Sequence, residues 1–152
     1  MPLTKPIVFP ITENMYYENL DLVIMNLTYE TIPNWSVNVK ANESYIFNLS
    51  LYLYDPTTAK FQAVFPTCDM SGQMNYIFTT NQASLKNCIH INNATLNYDF
   101  STGASAIQAV IQLQFTFKAD GIIAFQSMSS DGLGNTILYA GSYFSYRKVN
   151  LI

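Results

Sequence analysis

The chain has 152 residues, 49% of them hydrophobic and only 11% charged, with ten acids against seven bases and a net charge of −3. At this length one domain buries roughly 70% of the surface its unfolded chain exposes, so a core forms without metal. The weak negative balance, with Arg147 and Lys148 the one adjacent pair of bases, speaks against nucleic acid as a partner, and no apolar run is long enough to predict a membrane span.

The opening residues, "MPLTKPIVFPITEN", carry Pro2, Pro6 and Pro10 too closely spaced for a helix or a central strand. They predict an extended arm over residues 1–14 that leaves a single domain over 15–152. The apolar run 7–11, broken by Pro10, is too short for a secretory signal. Strand formers follow over 20–25 and 27–29, with apolar residues on both parities, so their faces are not assigned.

Residues 36–39 read as a short strand and 40–43 as a turn. Tyr45, Phe47, Leu49, Leu51 and Leu53 then alternate with Asn48, Ser50, Tyr52 and Tyr54. That is the period of a strand with one buried and one wet face. The alternation resumes with Phe61, Ala63 and Phe65, which predicts a hairpin connection over 55–59 and two antiparallel neighbours.

From 67 to 103 the pattern loosens, with strand-like pieces at 74–78, 89–91 and 95–100. The strongest alternation follows: Ile107, Ala109, Ile111, Leu113, Phe115 and Phe117 on one side, Gln108, Val110, Gln112, Gln114, Thr116 and Lys118 on the other. The turn "KADG" predicts that 122–128 returns beside that strand, and "SSDGLGN" separates it from 136–139 and a last strand. No helix of three turns is predicted. The expectation is an all-β, two-layer antiparallel β-sandwich of the jelly-roll type, with Phe47, Leu49, Leu51, Ile111, Leu113 and Phe115 in its core.

"FNLSLYLYDPTTAKFQAVFP" and "IQLQFTFKADGIIAFQSMSS…TILYAGSYFSYRKV" together resemble a broad group of bacteriophage and archaeal-virus structural proteins with a β-sandwich head, of tail-fibre, decoration or turret type. The resemblance covers about two thirds of the chain, mostly 36–66 and 107–149. It implies a virion-surface protein without enzymatic activity, commonly a trimer, in contact with other virion proteins. The low charge and the cysteine-flanked middle segment depart from that group. The alternative is a host-receptor or glycan-binding module of a viral attachment protein, with polar loops over 69–102 and 127–136 gathered at one end.

Individual residues add little chemistry. Cys68 and Cys88 either form a disulfide closing a loop of about twenty residues or remain two free thiols. Asn26, Asn34, Asn42, Asn48 and Asn93 head N-x-[ST] triplets, expected either as glycosylation acceptors or as chance products of an Asn-, Ser- and Thr-rich chain. His90 is the sole histidine and its spacing from the cysteines matches no zinc pattern, so no metal or cofactor is expected. Asp131 in "SSDGLGN" lacks the further oxygen ligands of a calcium loop. Eleven Tyr and ten Phe exceed the needs of a small core, which makes Tyr16, Tyr17, Tyr52 and Tyr54 candidates for an interface. Trp35, beside Pro33 in an expected turn, is the one tryptophan available as a sugar platform.

Overall fold

A computed structural model describes residues 14–78, 83–89, 95–101 and 106–149, with side chains placed at 14–69 and 106–149. Residues 1–13, which hold most of the expected arm, lie outside the described residues, as do His90 and Asn93. The described residues form twelve strands: β1 (Asn14–Tyr17), β2 (Leu22–Ile24), β3 (Glu30–Val39), β4 (Ser44–Tyr54), β5 (Thr58–Val64), β6 (Cys68–Phe78), β7 (Ala83–Ile89), β8 (Thr95–Ser101), β9 (Ile107–Phe117), β10 (Gly121–Met128), β11 (Thr136–Leu138) and β12 (Tyr143–Val149). Among the described residues there is no helix.

The two long alternating segments become β4 and β9, hydrogen-bonded side by side with Phe47 facing Leu113 and Leu49 facing Ile111. Phe47, Leu49, Leu51, Ile111, Leu113 and Phe115 are each no more than 1% exposed, while Gln112 and Gln114 stand in solvent. A slip of one residue in either strand would reverse that arrangement, so the alternation fixes the register. Phe47, Phe61, Phe115, Phe125, Phe144 and Trp35 fill the space between the layers, most of the ring contacts being tilted or edge-on.

Two antiparallel sheets make the sandwich. One runs β1-β12-β4-β9-β6-β7, with β11 bridging β4 to β2, and the other runs β3-β10-β5-β8. A single numerical relation runs through five of the ten strand pairings. Asn14 faces Tyr146, Ile24 faces Thr136, Val39 faces Gly121, Ser44 faces Thr116 and Ser71 faces Ile89, the two numbers of every such pair adding to 160. The β5–β8 pairs, such as Thr58 with Ser101, add to 159. The chain is therefore one long hairpin whose innermost described rung joins Ile77 to Ala83. It rolls up so that β12 also meets β4, β10 meets β5 and β9 meets β6. Nested pairing of this kind, rolled into two sheets, is the jelly roll.

This topology corrects two expectations. Residues 55–59 are no hairpin, because β4 and β5 lie in different sheets, and the turn at 118–120 likewise carries the chain across from β9 to β10. Alternation followed by turn residues reads the same for a hairpin and for an arch between layers. What selects the arch is that the crossings support one another. Asn42 N–H donates to Phe117 O (2.8 Å), Lys118 N–H to Thr67 O (2.8 Å) and Ala41 N–H to the Asp120 carboxylate (2.8 Å), binding three connections at one end. A Cβ on Gly121 would stand 2.5 Å from Cγ of Pro66, so glycine lets those crossings close.

The middle segment, expected to be loose, contains the eleven-residue β6 and the strands β7 and β8. The turn expected around Trp35 is a bulge inside β3. The register against β10 shifts between Ala124 and Gln126, Asn34 takes a φ of 68° and Pro33 sits where an edge strand tolerates a missing N–H. The extra residues let Ile32 and Trp35, three apart, both reach the core, with Trp35 1% exposed. Trp35 is thus a core residue and offers no platform to a sugar.

Candidate interaction surfaces

The outer face of the larger sheet carries the second side of the alternating strands. Met15, Ser145, Asn48 and Gln112 form one row across β1, β12, β4 and β9, and the register continues it through Gln73 and Asn87. The next row begins Tyr17, Tyr143, Ser50, Val110. Tyr17 is 57% exposed and its ring lies 5.5 Å from that of Tyr143. Tyr52, beyond them, accepts a hydrogen bond from Gln108 Nε2 at 3.0 Å, and Tyr54 is half-buried. No residue of these rows is charged, and Tyr17 and Gln112 stand exposed while Ser50 and Ser145 are covered.

Of the four candidate interface tyrosines, Tyr17, Tyr52 and Tyr54 lie on this side, and Tyr16 does not. Strand parity turns Tyr16 inward, where it stacks on Phe144 at 4.7 Å and packs against the core. Asn48 is half-buried in the middle of β4, between β12 and β9, whereas Asn26, Asn34 and Asn42 are exposed. Asn34 and Asn42 both hold positive φ, so local backbone conformation is reason enough for asparagine there.

The outer face of the smaller sheet repeats the theme. Gln62 Nε2 donates to Gln126 Oε1 at 2.5 Å, and Gln126 Nε2 donates to Thr31 Oγ1 at 3.3 Å. These side chains cross β5, β10 and β3 as an amide ladder. Such a row satisfies its own polar groups, so it faces water or a dry partner with little desolvation penalty.

Two salt bridges lie at one end of the sandwich. At the end holding the 40–43 and 118–120 turns, Lys118 pairs with Asp69 at 3.0 Å across half-exposed side chains, and Lys148 pairs with Glu43. Lys118 and Asp120 thus both have partners within the chain. Tyr45 donates its hydroxyl to Glu43 at 2.5 Å, and burial together with that carboxylate pushes the phenol up to about 12. Glu43 is held below the usual carboxylate range by the bonds from Lys148 and Tyr45.

The opposite end is organised by Asp55, which has no exposed surface. Its carboxylate accepts from Thr57 N–H (2.8 Å), Thr58 N–H (3.1 Å), Ser130 Oγ (2.6 Å) and Thr136 Oγ1 (2.6 Å). Burial alone would raise its pKa, but these donors outweigh it and the net shift is downward. Asp131 stays in its own loop, accepting from Leu133 N–H at 2.9 Å and from Asn135 at 3.1 Å. Among the described residues no group of three or more metal-ligating side chains converges.

The strand register sets the two cysteines apart. Cys88 faces Gly72 across β6 and β7, whereas Cys68 begins β6 four positions away. At ~3.3 Å per residue that offset is about 13 Å, beyond the ~7 Å that a disulfide spans. Cys68 is a free, buried thiol whose pKa burial pushes up to about 11, the neighbouring Asp69 adding to the shift.

Sequence reasoning missed one feature, the open side where the two sheets end. Among the described residues β2 pairs only with β11 and β3 only with β10, so both are edge strands. A cavity of about 150 Å³ lies between them, lined by Leu22, Val23, Ile24, Asn26, Glu30, Thr31, Ile32, Pro33 and Ser127. Beside it stand Val23, Met25, Leu27 and Leu133, 49% to 75% exposed. The signal was present in the apolar residues on both parities over 20–29: one parity serves the core and the other is left in water.

No family model matches the chain, and no curated protein matches it. The chain is similar to a crystal structure of the infectious bursal disease virus VP2 subviral particle, with 10% identity over 91% of this chain and 40% of that one and a TM-score of 0.25. It is also similar to structures of the Gx strain of that virus (12% identity, 97% of this chain, 43% of that one, TM-score 0.19) and of the Gt strain (10%, 99%, 43%, TM-score 0.20). The chain thus spans about two fifths of the length of those chains. At such TM-scores the assignment of the fold stands on strand order and register alone.

Proposed function

We propose that this chain is a non-enzymatic structural protein of a virion, displayed on its surface as a symmetric homo-oligomer, with a trimer favoured, and in contact with other virion proteins. A capsid decoration, a turret subunit and a fibre head all fit the reading, and the sequence resemblance favours a bacteriophage or an archaeal virus. The observation that carries it is the distribution of polarity over a complete jelly roll. The described outer faces carry amide, hydroxyl and tyrosine groups, two salt bridges lie at one end, and one edge is open and apolar among the described residues. A monomer seldom leaves such an edge in water, and repetition of one contact in a closed ring would cover it. The groove at that edge, about 150 Å³, falls below the ~300–1,000 Å³ of a small-molecule site.

A receptor- or glycan-binding role is the second reading, and the exposed Tyr17–Tyr143 pair with Tyr52 and Gln108 nearby favours it, because tyrosine offers a flat apolar ring and one hydroxyl. The two readings separate in one set of measurements. Light scattering of the purified chain is expected to give a multiple of 17.2 kDa that persists on dilution. Particles lacking the protein are expected to assemble poorly or lose stability without a defect in adsorption. A 17.2 kDa species at every concentration, together with saturable glycan or host-cell binding abolished by Tyr17→Ala, would overturn the structural role.

A further inference from the structure

The open edge has a specific chemistry. β2 and β3 present unpaired backbone groups on either side of a narrow groove, and the apolar side chains above it continue onto the 129–135 loop. A Cβ placed on Gly132 would lie 3.3 Å from Cδ2 of Leu27, and one on Gly134 would lie 3.2 Å from Sδ of Met25. Leu27 and Met25 therefore rest on a glycine-surfaced loop that gives them a firm seat. The charged group in the lining is Glu30, exposed, with Asn26 donating to its carboxylate at 2.6 Å.

From these features we infer that the groove between β2 and β3 receives residues 5–11 of a second copy of this chain. The inference rests on the assembly reading above and names its contact. "KPIVFPI" supplies apolar side chains for Met25 and Leu27, and Pro6 and Pro10 favour the extended backbone that an open strand edge accepts. Among residues 1–12 Lys5 is the one charged side chain, and Glu30 is its complement in the groove. Direction selects a second copy over the chain's own arm. β1 and β2 run in order along one edge, which puts Asn14 at the end of it remote from the groove. Asn14 itself is eight residues from Leu22, or about 25 Å at ~3.3 Å per residue. A self-contact would require the arm to reverse along the whole edge.

The test uses full-length chain, half of it isotope-labelled, refolded together and treated with a zero-length carbodiimide that joins amines to carboxylates. Mass spectrometry is expected to find Lys5 joined to Glu30 in peptides that mix labelled and unlabelled halves. Met25→Asp, at an exposed position that leaves folding intact, is expected to weaken self-association by about ten-fold or more. Lys5→Glu is expected to do the same in smaller measure, and Lys5→Glu combined with Glu30→Lys to restore it. An oligomer that persists in Met25→Asp, or one whose Lys5–Glu30 link is absent or always of one isotope, overturns the groove contact and leaves the assembly reading standing. A chain that never associates overturns both.

Discussion

Asp55 brings a carboxylate into a site with no exposure and satisfies it with backbone N–H groups and hydroxyls from two segments about eighty residues apart. Charge-assisted bonds of this kind are worth roughly 1.5–3 kcal/mol each before the cost of burying the charge is set against them. Truncation leaves Ser130 and Thr136 without that acceptor, so Asp55→Ala is expected to lower stability by about 3 kcal/mol or more in urea unfolding. The sign of the pH effect follows from the downward shift. A carboxylate whose folded pKa lies below its ordinary 3.8 contributes stability that is present above that value and is lost as pH falls through the lower one. Acid titration of the native chain should therefore show a loss below about pH 4 that Asp55→Asn removes, which is checked by comparing unfolding midpoints from pH 2 to 7. The sequence shows this residue only as an Asp-Pro turn, because its partners lie in a different loop.

Strands were more legible than their connections. In β4 and β9 the apolar parity predicts the core, and the structure buries those side chains. In β3 the same method stops at 36–39, since the bulge at Pro33 and Asn34 breaks the period that it reads. Left-handed backbone is costly for residues other than glycine and least so for asparagine. Asn34→Gly should therefore be nearly neutral, and Asn34→Val should destabilise by about 1–2 kcal/mol, measured by chemical denaturation with Trp35 fluorescence as the reporter. The expected hairpins at 55–59 and 118–120 failed for another reason. Nothing in a turn's own residues records whether the next strand continues in the same sheet or crosses to the other. That choice is made by contacts such as Ala41 with Asp120, far apart in the chain.

At the scale of the whole molecule, each rung of the rolled hairpin outside its tip joins residues distant in sequence: Val64 with Thr95, Leu53 with Ile107, Ile24 with Thr136, Asn14 with Tyr146. Closing such loops costs entropy before their contacts are made, and chains of this topology fold slowly. Refolding from urea is expected to take on the order of milliseconds to seconds or longer, with rate constants well below those of helical proteins of the same size. Stopped-flow fluorescence of Trp35, buried between the layers, checks this, and a microsecond phase carrying the full amplitude would contradict it. The interaction surfaces are the least legible part at this scale. Tyr17 and Tyr16 are neighbours with the same composition signal, and pairing with β12 alone decides that one meets water and the other the core.

The relation between facing residues departs by one at β5–β8 and by three in β3, and the larger departure is balanced. Beyond the bulge in β3, Thr31 faces Gln126 and Glu30 faces Ser127, pairs whose numbers add to 157. By Ile24 and Thr136 the sum has returned to 160, because the stretch between Ser127 and Thr136 is three residues longer than the stretch between Ile24 and Glu30 that it faces. The surplus on one leg of the hairpin is cancelled by an equal surplus on the other, in the loop that contacts Asp55. Length in this chain is accordingly a shared variable. An insertion within one strand would displace every outer rung unless a matching insertion arose in the opposite leg, whereas an insertion near residue 80 leaves every facing pair in place. Descendants of this sequence should gain and lose residues in such pairs, and a foreign peptide grafted into the chain belongs at 79–82.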